Sequence, residues 1–234
     1  MINVDGSDNI LEQIAKRHDC GNGKGKGKHF YTIWYHNHFK DIREKNLIFL
    51  EIGVDQGNSL KMWKEYFKNS TIYAIDKYDK TIPEDIKKQF KIFIGAQEDK
   101  KFLKKVCEDV SSGFDIIVDD ASHIPKFQII AFEYLFKYLN KGGIYVVEDL
   151  YSSYYPKFKK DQFSSFINFC KDRIDDVNFH GRFKWCNFDI IKKNIFMDIR
   201  KKGKRNQEPR SMNKYEEMIS SIHFYNGLCF ICKR

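Results

Sequence analysis

The sequence predicts a doubly wound α/β fold, a mostly parallel sheet preceded by a helical cap, and three observations carry that prediction. Short apolar runs, LIFLEI, TIYAI, FDIIV and GGIYVV, lack the apolar–polar alternation of a half-exposed strand, as expected of parallel strands covered on both faces. Between such runs lie helical patterns of about ten to fifteen residues, the signature of βαβ units. Two acidic doublets, Asp119-Asp120 and Glu148-Asp149, follow directly on FDIIV and GGIYVV, and open α/β sheets bind ligands just beyond their strand C-terminal ends.

The elements follow in order. NILEQIAKRHD has apolar residues at helical spacing, with Ser7 or Asp8 as the expected N-cap. CGNGKGKGKHF alternates Gly and Lys, which suits neither helix nor strand and predicts a mobile loop. FYTIWYHNHFKDIRE reads as a second helix, so residues 1–45 form an N-terminal cap ahead of the first strand. From residue 47 the chain alternates: LIFLEI, SLKMWKEYFK, TIYAI, a short helix after Pro83, KIFIG, DKKFLKKVCEDV, FDIIV, PKFQIIAFEYLFKYL and GGIYVV. DQFSSFINFCKDRIDDV is an amphipathic helix, and KKGKRNQEPRSMNK is too polar for a core and predicts an exposed loop. The tail, ISSIHFY, Asn226-Gly227 and LCFICK, reads as a hairpin closing the sheet with two antiparallel strands, with a single bulged strand as the alternative. With neither repeat nor linker, 1–45 and 46–234 are expected to act as one structural unit.

Composition agrees. A chain of 234 residues, 42% hydrophobic and 16% aromatic, fits one large α/β domain better than two. The net charge of +9 suits an anionic partner, yet Lys rather than Arg supplies most of the 41 cationic side chains, and specific nucleic-acid readers lean on Arg and a recognisable module. The N-terminus MINVDGSDNI is polar and acidic and no apolar run approaches a membrane span, so a soluble cytoplasmic protein is expected. Cys229 and Cys232 make a lone C-x-x-C on a strand, where an offset of three turns the thiols to opposite faces. All six cysteines are read as reduced thiols.

LEIGVDQGNSL follows the first strand and opens a helix. Gly53 and Gly57 permit a tight turn, and the helix N-terminus offers unpaired N–H groups. The pattern E-x-G-x-x-x-G is neither the dinucleotide fingerprint nor a Walker loop. Asp76, ending TIYAID, is placed to accept the hydroxyls of a ribose, and the pair of features favours a nucleoside ligand. Asp120, Glu148 and Asp149 offer oxygen ligands for a hard cation, and His123 stands three residues from Asp120 as a base.

These residues carry a resemblance. E-x-G-x-x-x-G, an acid ending the second strand and Asp119 ending the fourth resemble the S-adenosylmethionine site of class I methyltransferases, whose fold is a seven-stranded Rossmann-like sheet. HFYTIWYHNHF, LEIGVDQGNSLKMWKEYF, IYAID, IGAQED, DIIVDDASH, GGIYVVEDL with SSYYP, and SIHFYNGLCFI are similar to the metal-dependent sugar O-methyltransferases of the macrocin and mycinamicin type. The resemblance implies a divalent metal, Mg2+, at Asp120, Glu148 and Asp149, and His123 as base. It implies a cofactor site at Glu51, Gly53, Gly57, Ser59, Asp76, Gln97 and Asp119. Substrate contacts are expected from His29, Tyr31 and Tyr154. Two departures stand out: Gly95-Ala96-Gln97 replaces Gly-Asp-Gln, which removes an adenine contact or passes it to Asp99, and the Gly/Lys loop lacks Thr-Asp-Lys before the His-x-Tyr.

The activity implied is methyl transfer to a sugar hydroxyl, the sugar being nucleotide-linked or part of a glycan or glycoside, and a homo-oligomer is compatible with this class. A catechol-type acceptor would use the same chelation. An RNA-binding protein or RNA methyltransferase suits the charge, but DDASH stands where a base-flipping enzyme has N/D-P-P-Y/F. Singly, each acid has an ordinary reading as a turn, cap or solvated loop residue; it is their convergence at neighbouring strand ends that points to a site.

Overall fold

The computed structural model describes residues 9–20, 24–25, 29–158, 165–178 and 213–234. Lys26, Lys28, His180, Cys186 and most of the polar stretch 201–214 lie outside the described residues.

Seven strands form one sheet: β1 (Ile48–Ile52), β2 (Thr71–Asp76), β3 (Lys91–Ile94), β4 (Phe114–Asp119), β5 (Leu139–Val147), β6 (Ile219–Tyr225) and β7 (Leu228–Lys233). Their order is β3-β2-β1-β4-β5-β7-β6. β1 to β5 pair in parallel, and β7 runs antiparallel to both β5 and β6. The order reverses direction between β1 and β4, the switch point at which doubly wound sheets open a ligand crevice.

Helices α1 (Ile10–Arg17), α2 (Tyr31–Phe39), α3 (Asn58–Tyr66) and α4 (Glu84–Gln89) cover one face. Helices α5 (Lys100–Val110), α6 (Pro125–Leu135) and α7 (Phe166–Val177) cover the other. The strands feed both layers through their period of two. Phe49, Ile116 and Phe230 join the first layer, whereas Leu50, Ile117, Cys229 and Ile231 join the second. The cap helices are packed deep in the first layer, where Tyr31, Tyr35 and Phe39 are buried, the last two beside Trp63. The N-cap of α1 is Asn9, whose side chain accepts the Glu12 N–H; Ser7 and Asp8 precede the described residues, and an Asn carbonyl satisfies an orphan first-turn amide equally well.

Candidate active site

Strand register lines up the site. Ile52 pairs with Ile75 on one side and Asp119 on the other, and Asp119 pairs with Val147. The next residue along each strand therefore reaches the same rim: Gly53, Asp76, Asp120 and Glu148. The ladder runs on past the strand ends, with Gly53 N–H donating to Ile75 O at 2.8 Å, Asp120 N–H to Ile52 O at 2.9 Å and Glu148 N–H to Asp119 O at 3.0 Å. A cleft of about 920 Å³ opens above, lined among others by Gly53, Asp76, Gln97, Asp120, Glu148 and Asp149.

At the β1 end the backbone turns so sharply that Gly53 has φ +102°, and a Cβ there would lie 2.3 Å from Asp120 O. Only glycine fits so close an approach of two rim segments. Asp76 organises this loop, accepting Val54 N–H on Oδ2 at 2.8 Å and Tyr78 N–H on Oδ1 at 2.8 Å. Ser59 lines the cleft and donates to Glu51 Oε2 at 2.9 Å, while Trp63 Nε1 donates to Glu51 Oε1 at 3.2 Å. Glu51 is thus a buried support beneath the loop. Burial raises its carboxyl to about 7, with Lys24 opposing the shift. Gln97 donates to both Asp119 oxygens, at 3.0 and 3.2 Å, and its own carbonyl accepts Ser122 N–H at 3.0 Å. Asp119 is fully buried behind that amide, and burial raises it to about 7. Asp99 is the N-cap of α5, accepting Lys101 N–H at 2.8 Å, and Glu98 lines the cleft instead.

The acidic rim is the second half of the site. Asp120, His123 and Asp149 each present a ligand atom within 4.8 Å of the others. His123 Nε2 lies 3.5 Å from Asp149 Oδ2, and its Nδ1 is buried with no hydrogen-bond partner. His123 and Asp149 have φ of 53° and 56°, left-handed values that non-glycine residues adopt chiefly where surrounding structure imposes them, often at functional sites. Asp149 is fixed by two phenols, Tyr31 OH at 2.8 Å to Oδ1 and Tyr151 OH at 2.9 Å to Oδ2. Burial, then the Asp149 charge, raises the Tyr31 phenol well above its usual range, so it serves as a donor.

Glu148 is not one of that trio but lines the same cleft beside it. Its Oε1 accepts Tyr35 OH at 2.5 Å and Lys24 Nζ at 2.6 Å. Burial, reinforced by Asp120, raises the Glu148 carboxyl. Lys24 also donates to Asp120 Oδ2 at 2.6 Å and stands 3.8 Å from Glu51 Oε1. It is 5% exposed. Burial disfavours its ammonium, but Asp120, Glu148 and Glu51 outweigh that and raise its pKa well above the ordinary lysine value. This corrects the reading of the Gly/Lys stretch as a mobile surface loop at residues 24 and 25: Lys24 is an interior cation drawn in by three carboxylates, and Gly25 is buried with it.

On the acceptor side His29 lines the cleft and stacks on Tyr31 at 5.0 Å and on Tyr151 at 6.0 Å. Tyr31 itself is buried behind this wall, and Tyr154 is 69% exposed and outside the cleft lining. Sequence reasoning missed Lys24, Tyr35, Trp63 and Tyr151. For Tyr151 a signal existed, since it follows Asp149 by two residues in a short turn that keeps it on the rim.

The hairpin tip supports the same rim. Gly227 has φ +76°, and a Cβ there would lie 2.5 Å from the Tyr31 hydroxyl. Gly227→Ala is expected to cost about 1–2 kcal/mol for the left-handed backbone alone, and to push Tyr31 off Asp149. Thermal unfolding and calorimetric titration with Mn2+ check this: a lowered Tm with unchanged metal affinity would separate the turn from the site.

A sheet of this order with an acid-lined rim at its switch point defines the class I methyltransferase fold. Within that class the chain resembles the metal- and S-adenosylmethionine-dependent sugar O-methyltransferases of the macrocin and mycinamicin type. It is 31% identical over 234 residues to the 8-demethyl-8-alpha-L-rhamnosyl tetracenomycin-C 2'-O-methyltransferase of Streptomyces olivaceus, covering 96% of this chain and 54% of that protein. It is 36% identical over 137 residues to the mycinamicin VI 2''-O-methyltransferase of Micromonospora griseorubida, covering 56% of this chain and 34% of that protein. Its structure is similar to that of the MycE methyltransferase from the mycinamycin biosynthetic pathway in complex with Mg and SAH, with a TM-score of 0.76, 26% identity, and coverage of 95% of this chain and 53% of that one. The chain spans about half the length, or less, of these curated relatives. No protein-family model matches it. Among the described residues no helix is long and apolar enough to cross a membrane.

Proposed function

We propose that this chain carries a metal-dependent O-methyltransferase activity that moves the methyl of S-adenosylmethionine to a sugar hydroxyl. The observation that carries the reading is the junction of two half-sites on one rim, the glycine-turned cleft with Asp76 and the cluster of Asp120, His123 and Asp149 with Glu148 beside it. The donor set suits a hard divalent cation, Mg2+, because carboxylate oxygens predominate, and the unpartnered His123 Nδ1 leaves a ring atom free for chemistry.

Gly53, Ser59, Asp76 and Gln97 line the cofactor cleft, Glu51 and Asp119 are buried beneath it, and Gly57 is the left-handed N-cap of α3, packed against Ile86. S-adenosylmethionine supplies an electrophilic methyl on sulfonium. A divalent cation held by Asp120, Asp149 and Glu148 would make a chelated sugar hydroxyl more acidic, as metals do for water. His123 accepts the acceptor proton, a task suited to imidazole near neutral pH. Tyr31 and Tyr151 fix the Asp149 carboxylate, so the rim is ordered before the acceptor arrives. His29 and Tyr151 present a flat aromatic face to the sugar; Tyr154 is too exposed to share it without movement. Residues 1–45 act with 46–234 as one catalytic unit in this reading, with the cap forming the acceptor side.

The test is transfer of a labelled methyl from S-adenosylmethionine to a panel of glycosides and nucleotide-sugars, with Mg2+ and with excess chelator. Transfer that disappears on chelation is expected. Transfer to a simple catechol alone would reassign the acceptor, and transfer that survives chelation would defeat the metal's role.

A further inference from the structure

Lys24 fills the gap between two of the carboxylates to which the proposed function assigns the metal. Its Nζ is 2.6 Å from Asp120 Oδ2 and 2.6 Å from Glu148 Oε1. A divalent cation bound through those oxygens at about 2.1 Å would sit within about 5 Å of the ammonium. Water screens the pair only on the cleft side, where the Asp120 side chain is 27% exposed, because Lys24 is 5% and Glu148 2% exposed, and like charges at such distances repel more strongly there than in bulk water. The backbone of Lys24 cannot easily retreat. Its N–H donates to Cys20 O at 3.0 Å, and its carbonyl accepts Thr32 N–H at 3.0 Å, which pins it between α1 and α2. The side chain has four rotatable carbons and one further acid within reach, Glu51, whose Oε1 is already 3.8 Å away.

We propose that Lys24 is a built-in competitor of the divalent cation: it holds Asp120 and Glu148 together when the metal is absent, and shifts onto Glu51 when the metal binds. Glu51 lies beneath the cofactor loop through Ser59 and Trp63. The shift therefore ties metal occupancy to the floor of the cofactor cleft, making Lys24 a positioning residue rather than a group that touches the reacting atoms. This inference rests on the metal-dependent reading above.

Calorimetric titration with Mn2+, without cofactor or acceptor, tests it through the wild type, Lys24→Met, Glu51→Gln and the double variant. A ligand that must displace a resident conformer loses apparent affinity in proportion to that conformer's population. Lys24→Met is expected to bind Mn2+ about tenfold more tightly than wild type, and Lys24→Arg to restore the wild-type value. Glu51→Gln is expected to bind about tenfold more weakly in the wild-type background, since it removes the destination of Lys24, yet to change affinity by less than about twofold in the Lys24→Met background. Equal effects of Glu51→Gln in both backgrounds would mean that Glu51 merely attracts the cation through space, and would overturn the shift. Lys24→Met binding no tighter than wild type would overturn the competition itself. If Lys24→Met does not fold, Glu51→Gln alone decides, because unchanged affinity would refute a displaced Lys24 resting there. No Mn2+ binding by any form, wild type included, would reject the metal reading and this inference with it.

Discussion

Asp120→Asn is expected to lower methyl transfer by about 10³-fold, the scale at which one preorganised electrostatic group matters in a buried site. The amide keeps the volume of the carboxylate and leaves the Gly53 turn in place, since that turn packs against the backbone oxygen of residue 120 rather than its side chain. Binding of the demethylated cofactor should therefore stay within a few-fold of wild type by calorimetry. Lys24 keeps Glu148 as a partner at 2.6 Å, so the variant should fold. Activity that survives both this substitution and exhaustive chelation would remove the metal from the reaction.

His123→Ala is expected to depress kcat by about 10²–10⁴-fold, the range of a positioned acid or base, with cofactor affinity preserved. Its geometry permits a second role, because Nε2 is 3.5 Å from Asp149 Oδ2 and the ring belongs to the trio that can close on one ion. Titration with Mn2+ separates the two. Unchanged metal affinity with lost turnover identifies a base, whereas weakened affinity identifies a ligand. An unaltered kcat would exclude His123 from the chemistry.

The strand ends were readable because both signals are local. An apolar run predicts a covered parallel strand, and an acid just beyond it must then reach the rim that neighbouring strands share. DIIVDD and IYVVED satisfy both conditions, so the convergence of Asp120 with Glu148 followed from topology alone. Lys24 was not readable. Its burial is decided by carboxylates at 51, 120 and 148, each distant in sequence, and Gly/Lys alternation by itself describes a solvated loop. Tyr154 is the ring expected on the acceptor side, whereas it is Tyr151 that lines the cleft: both lie in the 3₁₀ turn Leu150–Tyr154, and only the spacing of Tyr151 from Asp149 hints at which ring stays on the rim. Glu148 posed a subtler difficulty, since residue type suggested a ligand while its partners Tyr35 and Lys24 come from the cap.

The place of β7 between β5 and β6 bears on how the molecule is made. β5 pairs with β4, which precedes it, and with β7, which is translated much later. During synthesis the strand that delivers Glu148 therefore remains an open edge until residues 228–233 leave the ribosome. Such an edge, carrying the run IYVV, is a template for pairing with other nascent chains. Translation that pauses after residue 150 should yield chains prone to association and without a settled rim, since Leu150 N–H waits for Gly227 O, its partner at 3.0 Å. Competence would arise late and abruptly, with the closing hairpin rather than with the acids themselves.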